Sequence, residues 1–149
     1  MLQRTLSVTV SVVALVFSSH AQVVINELSA ANINGPTDSF GEREDWIELY
    51  NTGGAAVDLS GWYLSDSQTN NTKWQVPPGT SIPANGRLMV FCSARNTVAA
   101  GNPHPSFKLT QSQGDRAVLS DASGNIVDNF QFSDPTQADH SWGRTTDGA

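Results

Sequence analysis

Cysteine is nearly absent from this chain of 149 residues, which contains one, Cys92. A single cysteine excludes an internal disulfide, so the domain must fold on its hydrophobic core. In the run RLMVFC, Cys92 shares one strand face with Leu88 and Val90, which predicts a buried apolar thiol rather than a reactive one. A catalytic thiol would need a histidine partner, and neither His104 nor His140 lies in a recognisable motif.

Apolar runs long enough to cross a membrane are also missing. The run LSVTVSVVALVF near the N-terminus has 12 residues, whereas a spanning helix needs about 20. This run follows Arg4, and Ser19-His20-Ala21 places small residues at cleavage spacing. Residues 1–21 are therefore predicted to be a secretory signal peptide, and residues 22–149 an exported domain. No transmembrane segment is expected after cleavage.

Basic residues are few, with 8 Lys and Arg against 14 Asp and Glu. Removal of Arg4 with the leader leaves 7 basic and 14 acidic residues, a formal net charge of −7. Contacts from Lys and Arg to phosphate dominate nucleic-acid binding. This balance therefore disfavours nucleic acid as the main partner.

Helical periodicity is absent, since no stretch of ten or more residues carries a convincing apolar stripe. Short apolar runs instead alternate with turns rich in Gly, Asn, Asp and Pro, which is typical of an antiparallel β-sandwich. The segment between Leu119 and Ile126 has the turn formers of a β-hairpin. About seven strands are predicted, near Val23–Leu28, Trp46–Asn51, Trp62–Asp66, Lys73–Val76, Arg87–Cys92, Ala117–Ser120 and Ile126–Phe132.

The segment Asp45–Asp66, DWIELYNTGGAAVDLSGWYLSD, contains two alternating runs joined by a Gly-rich turn, which predicts a β-hairpin. Its first strand should direct Ile47 and Leu49 into the core. Trp46 and Tyr50 then fall on the opposite face, either covered by the loop of residues 30–44 or forming an exposed patch.

Chemistry-bearing residues are present without the motifs that catalysis or metal binding requires. The carboxylates Glu42, Glu44, Asp45 and Glu48 are best interpreted as a solvated acidic edge, because no positioned base or nucleophile accompanies them. The segment DSQTNNTK, residues 66–73, lacks the Gly and the terminal Glu of a calcium loop. The histidines have no ligand-spaced Cys or His for zinc. No enzyme activity, cofactor or metal is predicted.

Two carboxylates, Glu27 and Glu48, lie in strands beside apolar neighbours and need partners if they are half-buried. Arg144 is the preferred candidate, and such an ion pair would hold the C-terminal segment against the sheet. The alternative is a solvent-exposed arginine that contributes little.

Six blocks in order resemble one known family. They are Ile25-Asn26-Glu27, DWIELYN (Asp45–Asn51), DLSGWYLSD (Asp58–Asp66), KWQVPPGTSIPANG (Lys73–Gly86), FKL (Phe107–Leu109) and SWGRTTDG (Ser141–Gly148). This succession resembles the lamin tail domain, as found in exported bacterial proteins. The resemblance implies an immunoglobulin-like β-sandwich used for interactions rather than catalysis. Similar domains usually continue beyond the last block, and the resemblance therefore implies a domain truncated at its C-terminus, as part of a longer protein.

Two hypotheses for function remain open. The first is a non-catalytic exported interaction or adhesion module that binds a protein, a glycan or an envelope component, with Trp46, Tyr50 and Trp142 as the candidate partner-binding surface. The second is an accessory N-terminal domain of a larger exported hydrolase or nuclease, with the catalytic part outside this chain.

Overall fold

A computed structural model describes residues 22–67, 69–112, 114–133, 135 and 137–149 of the chain. All the regular structure in these ranges is β-strand. The strands are β1 (Val23–Ser29), β2 (Trp46–Asn51), β3 (Val57–Asp58), β4 (Tyr63–Ser65), β5 (Trp74–Gln75), β6 (Ser81–Ile82), β7 (Arg87–Phe91), β8 (Thr97–Ala99), β9 (Asn102–His104), β10 (Asp115–Ser120), β11 (Ile126–Phe132) and β12 (Trp142–Gly143).

Two four-stranded antiparallel sheets form the sandwich. The first has the strand order β12-β1-β2-β7 and the second β11-β10-β4-β5, while β3-β6 and β8-β9 form two small ladders. The prediction of an all-β, immunoglobulin-like sandwich is confirmed, and each of the seven predicted strands overlaps one of the observed strands. The prediction from sequence missed β12 and the four strands of the small ladders.

The core lies between the inner faces of the two sheets. Ile47 and Leu49 of β2 are fully buried there, as the alternation predicted, and Cys92 is also fully buried. Burial raises the pKa of the Cys92 thiol well above its ordinary value, which keeps the thiol neutral and unreactive. From the opposite sheet, Leu64 and Leu119 complete the contact.

The predicted hairpin over Asp45–Asp66 is wrong, because its two strands lie in different sheets. Strand β2 pairs with β1 and β7, whereas β4 pairs with β10 and β5. The physical reason is Asn51, fully buried at the end of β2. Its Nδ2 donates to the carbonyls of Ala55, Ile82 and Pro83 at 2.7, 3.2 and 2.9 Å. These bonds hold the chain in a crossover towards β6 instead of a tight reversal.

The C-terminal segment runs antiparallel to β1 and is called here the C-terminal strap, residues 139–148. Within it, Trp142 and Gly143 of β12 pair with Leu28 and Glu27 of β1. The strap therefore covers one edge of the first sheet. None of the segments that the structure describes forms a helix of the length and apolarity that a bilayer crossing requires.

Candidate interaction surface

The structure does not bring Trp46, Tyr50 and Trp142 together as an exposed patch. Trp46 is buried, with 9% of its surface exposed, on the outer face of β2 opposite Phe91. Trp142 is half-buried, packs against the core and stacks on Phe132 with ring centroids 6.1 Å apart. The proposed aromatic surface is thus corrected, because two of its three rings contribute to packing inside the domain.

Tyr50 lies at the far end of β2 from Trp46 and is half-buried. The guanidinium of Arg87 lies over its ring, 4.6 Å from the centroid. Arg87 also pairs with Glu48 at 3.3 Å and with Asp147 of the C-terminal strap. Tyr50 is therefore part of a contact that holds the strap onto the outer face of the first sheet.

The predicted partner of Arg144 is also wrong. Its guanidinium binds both oxygens of Asp128 in β11, at 2.7 and 2.9 Å, and its Nε donates to the carbonyl of Ile25 at 2.9 Å. Glu27 instead accepts from Ser141 Oγ, and Glu48 has the contact with Arg87 described above. From the C-terminal strap, Arg144 thus contacts β1 and β11, across the seam between the two sheets.

The β1–β2 loop, residues 30–45, carries two large exposed apolar side chains. Within the described ranges four large apolar residues are exposed, and two of them, Ile33 at 58% and Phe40 at 50%, belong to this loop. The others are Val98 at 39% and Ile126 at 53%. Single exposed apolar residues are common, but two on one loop mark a candidate contact surface.

A buried carboxylate shapes the β1–β2 loop around Phe40. Asp38 has a side chain with no exposed surface, and its Oδ1 accepts from the backbone N–H groups of Phe40 and Glu42, both at 2.9 Å. Asn32 closes the loop by donating to the carbonyls of Pro36 and Glu44 at 2.7 and 3.0 Å. The backbone that carries Phe40 is therefore fixed by internal hydrogen bonds.

Two ion pairs tie the same loop to the body of the domain. Arg95 pairs with Glu42, and Lys108 pairs with Glu44 at 2.7 Å. The hydrogen bond that Lys108 donates to the Glu44 carboxylate raises the pKa of Lys108 above its ordinary value. Each pair is worth at most about 1 kcal/mol at such exposed positions, so their main effect is to fix the orientation of the loop.

Phe40 and Arg95 form one composite surface. The Arg95 guanidinium lies 4.4 Å from the centroid of the Phe40 ring, in cation–π contact. The residues on either side of Arg95, Ala94 and Asn96, have left-handed φ angles of 61° and 54°. The left-handed backbone conformation costs a non-glycine residue about 1–2 kcal/mol of conformational free energy. Residues with such strain cluster at functional positions. We call this pair the Phe40–Arg95 surface.

Beneath Phe40 lies a buried set of residues with the composition of a hydrolase triad: Ser93, His104 and Asp38. The Ser93 hydroxyl is 2.9 Å from His104 Nδ1, and the Asp38 carboxylate approaches the same nitrogen at 3.9 Å. In a catalytic triad the serine and the carboxylate take opposite ring nitrogens. This arrangement therefore cannot transfer the serine proton through the imidazole to a leaving group.

The environment of His104 is apolar and closed. Its ring stacks on Phe91 at 5.7 Å and meets the Phe40 ring in an edge contact at 5.4 Å. Burial lowers the pKa of His104, although Asp38 opposes this shift. Within the described residues, His104 Nε2 has no hydrogen-bond partner, and neither has Asp38 Oδ2. The neutral ring acts as a packing element under the β1–β2 loop, a role that no sequence motif indicated.

The acidic edge predicted from sequence is largely paired. Glu42, Glu44 and Glu48 each contact a basic residue. Asp45 differs, because burial raises its pKa from 3.8 to about 6, and Lys108 only partly offsets that shift. No group of three or more potential ligands in the described part of the chain could hold a metal ion. Gln68, in the segment compared with a calcium loop, lies outside the described residues.

One cavity, of about 240 Å³, opens where β10 begins and β11 ends. Its polar lining includes Asp66, Asp115 and Arg116. Asp66 is neutralised by Lys73 at 2.6 Å, and Arg116 bonds the Gln131 amide at 2.9 Å. Asp66 and Arg116 are thus already paired, and the cavity carries none of the features that make the Phe40–Arg95 surface a candidate.

Comparison with known proteins gives one family. The family model of the Lamin Tail Domain matches residues 17–134, which is most of the chain. The search of curated proteins found no match to this chain. The match ends before residue 139, so the C-terminal strap lies outside the matched range.

Proposed function

We propose that this chain, which belongs to the Lamin Tail Domain family, is a non-catalytic exported interaction module that binds a protein partner through the Phe40–Arg95 surface. One observation carries the proposal. A half-exposed aromatic ring stands on a loop whose backbone is held by a buried carboxylate and whose C-terminal part is held by two ion pairs.

The energetic argument is pre-organisation. Binding normally costs about 0.5–1.5 kcal/mol for each side chain that must be immobilised, and more when a loop must be ordered. Phe40 and Arg95 are already fixed against each other and against the domain. Aromatic and arginine side chains dominate the energetic centres of protein interfaces. A partner that covers this pair would keep most of the free energy gained on burial.

A protein partner fits this surface better than a glycan does. Sugar stacking needs an open aromatic face, and one face of Phe40 carries the Arg95 guanidinium. All four tryptophans lie in the described part of the chain, and all are buried or half-buried. The residues that would serve as sugar platforms are therefore used for packing.

Nucleic acid is a poor candidate for the same surface. Binding to phosphate relies on basic side chains that can replace counterions. Five of the seven basic residues in the predicted mature chain already pair with carboxylates, and these five are Lys73, Arg87, Arg95, Lys108 and Arg144. A phosphate backbone would have to break these pairs.

Export is proposed from the leader-like residues 1–21. Expression of the full chain in a bacterial host with an active secretory pathway tests this step. The N-terminal peptide of the exported protein, identified by mass spectrometry, should begin at Gln22. Retention of the whole product inside the cell with Met1 intact would contradict export.

Binding is tested by site-specific photo-crosslinking of the full chain. One variant carries p-benzoylphenylalanine at Phe40. The matched control carries it at Ile126, which is equally exposed but lies in the second sheet. Both proteins are irradiated in the producing cells, and adducts are identified by mass spectrometry.

The proposal predicts a defined protein adduct from position 40 that is absent from position 126. The same adduct should weaken when Arg95→Ala is added, because the partner contacts both members of the pair. Equal adducts from both positions, or none from position 40, would contradict this surface as the binding site.

A further inference from the structure

The first part of the β1–β2 loop, residues 31–34, is called here the loop tip, and it is bound by a residue near the C-terminal end of the chain. Asp139, the first residue of the C-terminal strap, accepts hydrogen bonds through Oδ1 from the backbone N–H groups of Ile33 and Asn34, at 2.7 and 2.6 Å. Its Oδ2 accepts from Asn34 Nδ2 at 2.7 Å. Its own N–H donates to the carbonyl of Ala31 at 2.8 Å. One residue therefore makes four hydrogen bonds to three positions of the loop, residues 31, 33 and 34.

The backbone of Asp139 is strained in order to make these bonds. Its φ angle is 60°, in the left-handed region. Asp and Asn enter this region more easily than other residues with a side chain, because their short polar groups bond locally. The strain is an observed feature, and the structure that maintains it is the set of bonds to the loop tip.

The charge on Asp139 suits this role. The backbone bond from Asn34 is the largest of the effects that lower its pKa, followed by the Asn34 side chain and the Ile33 backbone, with a smaller contribution from Arg43. The carboxylate is therefore ionised at neutral pH, and charge-assisted bonds to backbone N–H groups are stronger than neutral ones. The group remains accessible to solvent, so these bonds restrain the loop locally rather than support the core.

We infer that Asp139 is a positioning residue for the β1–β2 loop: the C-terminal strap holds the loop tip, with Ile33, in the single conformation that presents the binding surface. This inference rests on the proposed function for what is presented. The restraint itself is independent of any partner. The loop is then held from three sides, by Asp38 inside, by Arg95 and Lys108 at the domain body, and by Asp139 at its tip.

Two substitutions separate the hydrogen bonds from the backbone geometry. Asp139→Gly keeps the left-handed conformation available but removes every acceptor. Asp139→Asn keeps the conformation and one acceptor oxygen, and is therefore the conservative rescue. Asp121→Gly is the matched control, because Asp121 also accepts from two backbone N–H groups, those of Ser123 and Asn125, and from the Asn125 side chain, but in the β10–β11 turn.

The readout is amide hydrogen exchange of Ile33 and Asn34 by NMR at pH 7, measured with the melting temperature of each full-chain variant. Asp139→Gly should accelerate exchange at both amides at least tenfold and leave the core amides of β2 unchanged. Asp139→Asn should restore most of the protection. Asp121→Gly should leave both loop amides as in the wild type.

Unchanged exchange at Ile33 and Asn34 in Asp139→Gly would overturn the inference, and so would equal acceleration at the β2 amides, since that would indicate only a loss of global stability. In the photo-crosslinking assay at position 40, Asp139→Gly should lower the adduct yield several-fold. An undiminished yield despite accelerated exchange would also overturn the inference. Absence of any adduct from the position-40 variant that retains Asp139 would contradict the proposed function, while the exchange result would still decide whether Asp139 positions the loop.

Discussion

The ion pair between Arg144 and Asp128 gives a quantitative prediction about how the sandwich is closed. Their side chains are only 21% and 15% exposed. Asp128 also accepts from the Ile25 N–H at 2.7 Å, and Arg144 Nε donates to the Ile25 carbonyl. These contacts satisfy both backbone groups of Ile25 at the point where β1 has a register shift. The pair therefore joins β1, β11 and the C-terminal strap at one seam.

Replacing Arg144 with Met removes the charge and keeps the apolar stem. The substitution leaves a mostly buried Asp128 carboxylate without its cation, which costs about 3–5 kcal/mol for a fully buried pair and about 2–3 kcal/mol at this exposure. For a domain of this size each kcal/mol lowers the melting temperature by about 3–5 °C. Arg144→Met should therefore lower it by about 6–15 °C.

The assay is urea unfolding of a double-mutant cycle with Arg144→Met and Asp128→Asn. The double variant should be more stable than the sum of the single losses predicts, with a coupling energy of about 1–2 kcal/mol, because each single variant isolates one charge. Arg116→Met is the control, since the Arg116 guanidinium bonds the neutral Gln131 amide. The reasoning is refuted if Arg144→Met costs no more than Arg116→Met.

Three further predictions follow from burial and charge. Burial raises the pKa of Asp45 to about 6, so the folded state binds this proton more tightly than the unfolded state, and stability rises as pH falls from about 6 towards 3.8. Asp45→Asn should raise the free energy of unfolding by about 2 kcal/mol at pH 7 and flatten its pH dependence, as measured by urea unfolding. An unchanged pH dependence of stability would contradict this prediction. The lowered pKa of His104 has the opposite effect on stability, because the unfolded state binds the imidazole proton more tightly than the folded state does. In the Asp45→Asn background, stability should fall as pH drops below 6.5, and His104→Gln should remove that fall. Trp46→Ala should cost about 3–5 kcal/mol in thermal unfolding, as expected for a buried ring; a loss below about 1 kcal/mol would indicate a surface position.

Local patterning predicted much of the fold. The alternation of Ile47 and Leu49 identified the buried face of β2, and the turn formers after Leu119 identified the β10–β11 hairpin, where Asp121 caps the turn. Both signals act over fewer than ten residues, so the sequence contains them directly. The family resemblance supplied the global arrangement of these pieces.

Contacts between residues far apart in the sequence were harder to predict. The Gly-rich segment after Asn51 has the composition of a hairpin turn, but the buried Asn51 amide bonds carbonyls from residues 55, 82 and 83 and directs the chain to the other sheet. A sequence pattern cannot show partners that lie 30 residues away. The partner of Arg144 was missed for a related reason: Asp128 lies in β11, and only the packing of β11 beside β1 brings its carboxylate to Arg144.

The surface proposed from the structure lies at a different position from the aromatic surface predicted from the sequence. Trp46 and Tyr50 were predicted as an interface because they are aromatic residues beside a carboxylate. In the structure Trp46 is buried, and the Tyr50 ring is in cation–π contact with Arg87. Phe40, in contrast, lies in a loop with no strand pattern around it. Its importance depends on Asp38 and Arg95, which approach it only in the folded structure.

The most direct test of the central claim is the affinity of the cross-linked partner for purified variants, measured by calorimetry. Phe40→Ala should weaken binding by about 30-fold or more, as for a residue at the energetic centre of an interface. Ile126→Ala should change it less than about twofold, since exposed side chains outside an interface contribute little. Equal affinity of Phe40→Ala and the wild type, with both proteins folded, would contradict the Phe40–Arg95 surface as the binding site.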